Sequence, residues 1–207
     1  MYTLFWEKGS GSIVVQALLE ELGVTYDRHY VDMEAGEHQK DEYLRQNPTG
    51  LVPALMLPDS HTIGESAAIV LHLEEQCPDG RVIPRSAGND RPDFLYWLLF
   101  MATTGYTTFG RFAHPERYTH DQDALDPVRL TAEEDVTRFF DLLEEGIKGE
   151  PYFFPSGFTA LDIYMTMLAG WHPDRNALFQ RNPKVAALCA AVESRPAYKK
   201  VIADHSY

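Results

Sequence analysis

The chain is poor in cysteine, in positive charge and in long apolar runs, and each shortage removes a class of function. Its two cysteines, Cys77 and Cys189, stand far apart and outside any CxxC pair or metal-ligand spacing, which argues against a disulfide framework and favours a reducing compartment. Lys and Arg number 18 against 31 Asp and Glu, a formal charge of −13. Phosphate backbones and anionic lipid surfaces are gripped by clustered cations, so neither nucleic acid nor membrane is an expected partner, and an anionic small ligand must find a locally positive pocket. The longest apolar run, Phe94 to Ala102, falls well short of the roughly 20 residues that span a bilayer. The opening MYTLFWEKGSGS holds no basic leader ahead of an apolar stretch, so a cytoplasmic protein is expected.

Several catalytic signatures are missing too. GSGS lacks the Gly-Lys-Ser/Thr ending of a phosphate-binding P-loop, and Val14 replaces the third glycine of GxGxxG. No serine of that loop sits in a GxSxG elbow, which removes local support for ordinary serine hydrolysis. His114, His120, Asp121, Asp123 and Asp126 crowd together without a ligand spacing and read as a solvated loop, so no metal is expected.

What is present is an ordinary globular composition, 44% hydrophobic, 12% aromatic and 24% charged over 207 residues, enough for one large or two small domains. Tyr2 to Trp6 is β-prone; Ser12 to Leu22 puts Ile13, Ala17, Leu18 and Leu22 on one helical face and stops at Gly23; Thr25 to Val31 is β-prone again. This βαβ unit predicts a parallel strand pair. A short helix is expected over Lys40 to Gln46, then a turn at Asn47-Pro48-Thr49-Gly50, strands over Leu51 to Leu57 and His61 to Ile63 around Pro58-Asp59-Ser60, and a helix over Glu65 to Gln76. Beyond a turn-rich linker no strand is expected. Helices are predicted over Asp93 to Thr104, through Val136, Phe139, Phe140, Leu143 and Ile147, and over Ala160 to Trp171 and Pro183 to Glu193. The expected division is residues 1–78, a linker 79–88, and an all-helical domain 89–207. The sharpest helix start is Phe158-Thr159-Ala160-Leu161-Asp162, a variant of the capping box with Thr159 as N-cap and Asp162 three residues on.

LVPALMLPDSHTIGESA raises the functional question. Pro53 lacks the N–H that a ladder needs, which is tolerable where a donor position faces an edge or a ligand. A cis Val52-Pro53 bond would present the N–H and C=O of Val52 to an extended, peptide-like ligand. Gly64-Glu65-Ser66 opens the next helix, whose first N–H groups suit a carboxylate; Ser66 adds a hydroxyl and Glu65 can accept from an ammonium. A γ-glutamyl peptide has these three features.

On these residues the chain resembles a glutathione transferase, with the family's cis-proline turn in GLVPAL, its Glu-Ser site in IGESAAI, the helix start FTALDIYM and the late RPAY segment. The resemblance covers essentially the whole chain and points to a bacterial, serine-type or atypical beta-like member. It implies an α/β thioredoxin-like N-terminal domain, an all-α C-terminal domain, a homodimer, and glutathione as co-substrate with a hydrophobic electrophile, typically in detoxification. Val52, Pro53, Glu65 and Ser66 would hold the peptide, with His38, Gln39 and Lys40 near its glycine carboxylate. Ser10 or Ser12 would stabilise the thiolate, since Gly11 stands where beta-type members carry cysteine; Tyr2 and Tyr106 are other possible hydroxyls. Tyr106, Phe109 and Phe112 in WLLFMATTGYTTFGRF would line the second-substrate site. A glutathione-dependent isomerase, lyase, dehalogenase or peroxidase, or a non-catalytic binding or scaffold protein, stays open on the same fold.

Overall fold

The computed structural model describes residues 1–77, 82–84 and 88–205; most of the expected linker 79–88 and the Pro78-Asp79-Gly80 turn lie outside them. The chain divides into two compact units, Met1–Ile83 together with Glu193–Tyr207, and Pro84–Val192.

In the first unit, β1 (Tyr2–Trp6) leads through α1 (Ser12–Glu21) to β2 (Tyr26–Tyr30), followed by α2 (Asp41–Leu44), β3 (Ala54–Met56), β4 (Thr62–Ile63) and α3 (Ser66–Gln76). The sheet order is β2-β1-β3-β4. β1 runs parallel to β2, as the βαβ pattern requires, with Tyr2 opposite Tyr26 and Trp6 opposite Tyr30. β3 is antiparallel to β1, pairing Leu55 with Leu4 and Ala54 with Phe5, and β4 is antiparallel to β3. Alternation along the strands divides the side chains between two faces. Leu4 and Leu55 are fully buried, as are Val14 and Leu18 of α1 and Ile69 and Leu73 of α3. Phe5 and Ala54 form a second cluster with Val31 and Tyr43. Each fully buried leucine contributes roughly 1.5–3 kcal/mol.

The strand expected over Leu51 to Leu57 is shorter, Ala54–Met56. Pro53 has no N–H to give the ladder, and the Leu51 carbonyl is taken by side chains, the Tyr43 hydroxyl at 2.5 Å and the Asn47 amide at 2.8 Å.

The second unit is helical: α4 (Arg91–Phe100), α5 (Tyr106–Ala113), α6 (Leu125–Gly146), α7 (Ala160–Gly170), α8 (Arg175–Arg181) and α9 (Pro183–Ser194), which runs just past its end. The helix expected to continue from Asp93 through Thr104 gives way at Met101–Gly105 to one wide π-helical turn. There the Thr103 hydroxyl donates to the Leu99 carbonyl at 2.8 Å, a side-chain bond that competes with the α-helical ladder. α6 stops at Gly146 and the backbone of Ile147 is already extended, so the last residue of the predicted apolar stripe is buried from outside the helix. α7 is buried from Ala160 through Ala169, and α4 packs against it.

The capping box at the start of α7 forms. The Asp162 carboxylate accepts from the Thr159 N–H at 2.6 Å and from the Phe153 N–H at 2.7 Å, and the Thr159 hydroxyl accepts from the Leu161 N–H at 3.3 Å. Burial pushes the Asp162 carboxyl from its ordinary 3.8 up to about 6, against the pull of those donors.

The last helix, α10 (Pro196–His205), belongs to the first unit and packs on α1. Arg195, just before it, makes a two-pronged ion pair with Glu21, both bonds 2.7 Å. The fold is therefore thioredoxin-like at its N-terminus and all-α beyond. No described helix is long and apolar enough to cross a membrane.

Candidate functional site

Strand direction gathers the predicted residues of the first unit's serine loop and peptide site at one end of the sheet. β1 and β2 are parallel, so the loops after Trp6 and after Tyr30 leave the same end. β3 is antiparallel to β1, so the residues before Ala54 arrive at that end; β4 is antiparallel to β3, so Gly64 and Glu65 leave from it. The register Leu55–Ile63 and Met56–Thr62 brings the residues just before Ala54 and just after Ile63 to the same edge of the sheet. The loop Lys8 to Gly11, the Val52-Pro53 turn, Glu65-Ser66 and the segment from His38 to Lys40 thus share one rim, together with the N-termini of α1 and α3. Both helix starts carry a partial positive charge, which answers the need for a local anion seat in an acidic chain.

The loop between β1 and α1 is held by its serines. Ser10 Oγ lies 2.8 Å from the Glu7 carbonyl and 2.8 Å from Ser12 Oγ, and it accepts from the Ser12 N–H at 3.1 Å. A hydroxyl has one proton and a carbonyl can only accept. The Ser10 proton therefore goes to Glu7, and the Ser12 hydroxyl donates to Ser10. Ser12 is fully buried, whereas Ser10 is half-buried. Through the Ser12 N–H, Ser10 Oγ also takes up the first backbone donor of α1, and it keeps a surface that a ligand can reach.

At the turn, the Val52-Pro53 bond is cis. The Leu51 carbonyl is satisfied by Tyr43 and Asn47, whereas no backbone hydrogen bond to Val52 occurs among the described residues. Val52 is half-buried and Pro53 buried. Asn47 ties the neighbouring pieces: its amide holds Leu51, and a methyl group placed on Gly64 would meet its Oδ1 at 3.5 Å.

Glu65 has φ 58° and ψ 106°, a conformation that costs a non-glycine residue on the order of 1–3 kcal/mol. Its carbonyl accepts from the Ile69 N–H at 3.0 Å, while its side chain is exposed. Ser66 follows as the buried first residue of α3. The backbone is thus bent out of its comfortable range to start the helix at this point and leave the carboxylate on the rim.

His38 and Gln39 lie in a short helical turn, Glu37–Gln39, after a left-handed Gly36. The His38 ring sits 3.2 Å from the Gln39 amide, and Lys40 is exposed, 3.7 Å from Glu37. In the helical unit, Phe109 is a core residue against Phe140 and Trp171, with ring centroids at 6.3 and 5.7 Å. Tyr106 and Phe112 are half-buried, and Tyr106 meets Trp171 edge-on at 5.2 Å. Among the described residues no cluster of three or more His, Cys, Asp or Glu could hold a metal.

Residues 12–76 match the family model described as glutathione S-transferase, N-terminal domain. Glutathione S-transferase GstA of Escherichia coli O157:H7 is 26% identical over 197 residues, 93% of each chain. The chain belongs to the glutathione transferase family. A sphingomonad glutathione S-transferase, solved in complex with glutathione, superposes with a TM-score of 0.82 at 25% identity over 98% of each chain. The transcriptional regulator URE2 of Saccharomyces cerevisiae is 32% identical over 149 residues, 69% of this chain and 42% of that protein.

Some supports of this rim carry no local signal in the sequence. Asn47 reads as turn punctuation, although its side chain does the bracing. His205 meets Gly9 of the serine loop and Gln16 of α1 across 196 and 189 positions, and no spacing rule reaches that far.

Proposed function

We propose that this protein binds reduced glutathione and activates its thiol for attack on a hydrophobic electrophile. The observation that supports the reading is the peptide of Val52, without a backbone hydrogen bond among the described residues, at the same end of the sheet as the strained Glu65 and the start of α3. The cysteinyl part of the tripeptide pairs with Val52 as an added strand. Its γ-glutamyl carboxylate meets the N–H groups at the start of α3, and its ammonium meets Glu65. His38, Gln39 and Lys40 stand on the same rim for the glycine carboxylate.

The thiol resembles that of cysteine, ordinarily near 8.5, and attacks only as thiolate. Ser10 supplies the hydroxyl: its proton turns from the Glu7 carbonyl to the sulfur, while Ser12 donates to Ser10 Oγ through both N–H and O–H. Accepting two bonds polarises Ser10 and strengthens its own donation. The thiol proton leaves to solvent, and the thiolate sulfur then forms the new bond to the electrophile, whose leaving group departs with the electron pair.

Mixing the protein with glutathione near neutral pH and following thiolate absorbance tests the reading. An increase that the Ser10→Ala variant lacks supports it; glutathione bound with its thiol still protonated overturns it. The 32% identity with URE2 favours a second reading, a glutathione-binding regulator without turnover. Affinity for the peptide with no conversion across a panel of aryl halides, epoxides and peroxides would select it.

A further inference from the structure

The serine loop is built of the least constrained backbone available. Lys8-Gly9-Ser10-Gly11-Ser12 contains two glycines, and Gly9 is left-handed at φ 65°. Fixing each residue of such a loop costs about 1–2 kcal/mol of conformational entropy. Ser10 is held from within by Glu7. The Gly9 N–H is held from the other end of the chain, donating to Nδ1 of His205 at 3.2 Å.

That bond dictates the state of the ring. Nδ1 must be bare to accept, so the proton is on Nε2, which donates to Gln16 Oε1 at 3.0 Å. The Gln16 amide nitrogen then donates to Asp204 at 2.9 Å, and Asp204 pairs with Arg28. Gln16 is fully buried and His205 nearly so. Trp6 packs edge-on to the ring at 4.9 Å, and Arg28 lies 5.2 Å over the Trp6 ring. Every donor and acceptor in this line has its complement, running from an ion pair to the backbone of the loop. A protonated imidazole would turn Nδ1 into a donor facing the Gly9 N–H. The charged groups facing the ring, Asp204 and Arg28, act in opposite senses, and burial lowers its pKa to about 4, so the ring is neutral where thiol chemistry runs.

We propose that His205 is a positioning residue for thiol activation, anchoring the Gly9 peptide so that the Ser10 hydroxyl is held where the thiolate forms; the role rests on the transferase reading above. His205 touches neither substrate. It acts by removing freedom from a glycine-rich loop whose next residue carries the activating group.

Three measurements test this. In the unmodified protein, imidazole nitrogen shifts report the tautomer; a proton on Nδ1 overturns the proposal without any variant. Next, Gly9 amide exchange and the titration of bound glutathione are compared for wild type, His205→Phe, which keeps a ring against Trp6, and His205→Asn, which restores an acceptor near Nδ1. The expected result is faster Gly9 exchange in His205→Phe, a higher thiol midpoint, and kcat down roughly tenfold to a hundredfold with little change in KM for glutathione, all largely recovered in His205→Asn. Fast exchange with an unmoved thiol midpoint makes the contact structural only and overturns the proposal. A wild-type protein that binds glutathione without ionising it defeats the transferase reading itself, and is told apart because it shows before any substitution.

Discussion

The Ser10 and Ser12 hydroxyl oxygens lie 2.8 Å apart, one half-buried and the other sealed beneath it. The pair has a front and a back, and the two serines are not interchangeable. Ser10→Ala is expected to lower glutathione conjugation about tenfold to a hundredfold and to move the thiol midpoint toward 8.5. Ser12→Ala leaves the donor in place but unsupported, so its loss stays below about tenfold. Steady-state rates and thiol titrations of the two variants check this, and a larger loss in Ser12→Ala would reverse the assignment.

Glu65 separates binding from stability. Glycine adopts φ 58° freely, so Glu65→Gly removes strain on the order of 1–3 kcal/mol while adding about 1 kcal/mol of unfolded-chain freedom. The melting temperature is expected to hold or rise. Glutathione affinity should fall about tenfold or more, because a hydrogen bond to a charged group contributes about 1.5–3 kcal/mol. Thermal melts beside calorimetric titration decide it; a large drop in melting temperature would contradict the strain argument.

Asp162 gives stability a pH signature. Its carboxyl titrates at about 6 when folded and near 3.8 ordinarily. The folded state therefore holds the extra proton between those values. The contribution of this group is fully present below the lower value and is lost as pH rises through about 6, a change of up to about 3 kcal/mol. Urea unfolding of wild type and Asp162→Asn between about pH 4 and 7 should show that slope only in wild type. Thr159→Ala, which removes the cap hydroxyl, should cost about 1 kcal/mol, and more above about pH 6, where that hydroxyl also donates to the ionised Asp162 carboxylate.

Gly149 tolerates no side chain. A methyl group there would overlap the carbonyl of Phe154 and sit 2.5 Å from the Tyr152 oxygen, backbone atoms that cannot swing away as a flexible side chain would. Gly149→Ala is expected to cost at least about 3 kcal/mol, read as a lowered urea midpoint or loss of soluble protein.

Local chemistry accounts for what could be read from the sequence. Tyr2 to Trp6, the helix stopping at Gly23 and the capping box of Thr159 and Asp162 each carry their signal within a few residues. The Glu65-Ser66 helix start was legible for the same reason. The strand at Leu51 failed because its carbonyl found Tyr43 and Asn47 instead of a ladder partner. The wide turn at Met101–Gly105 leaves no mark in the apolar spacing, which reads as one continuous helix. α8 and α10 are short and rich in charge, so their apolar stripes are thin. The anchoring of Gly9 by His205 is a meeting of chain ends, set by the packing of α10 on α1.

On the proposed reading, the N–H and C=O of Val52, which make no backbone hydrogen bond among the described residues, act as a filter on co-substrates. A thiol arriving without an amide of its own, such as free cysteine or mercaptoethanol, leaves both groups unanswered and forgoes the pairing that would aim its sulfur. Selection among cellular thiols is then exercised by main-chain atoms, which no side-chain replacement at that position can rewrite.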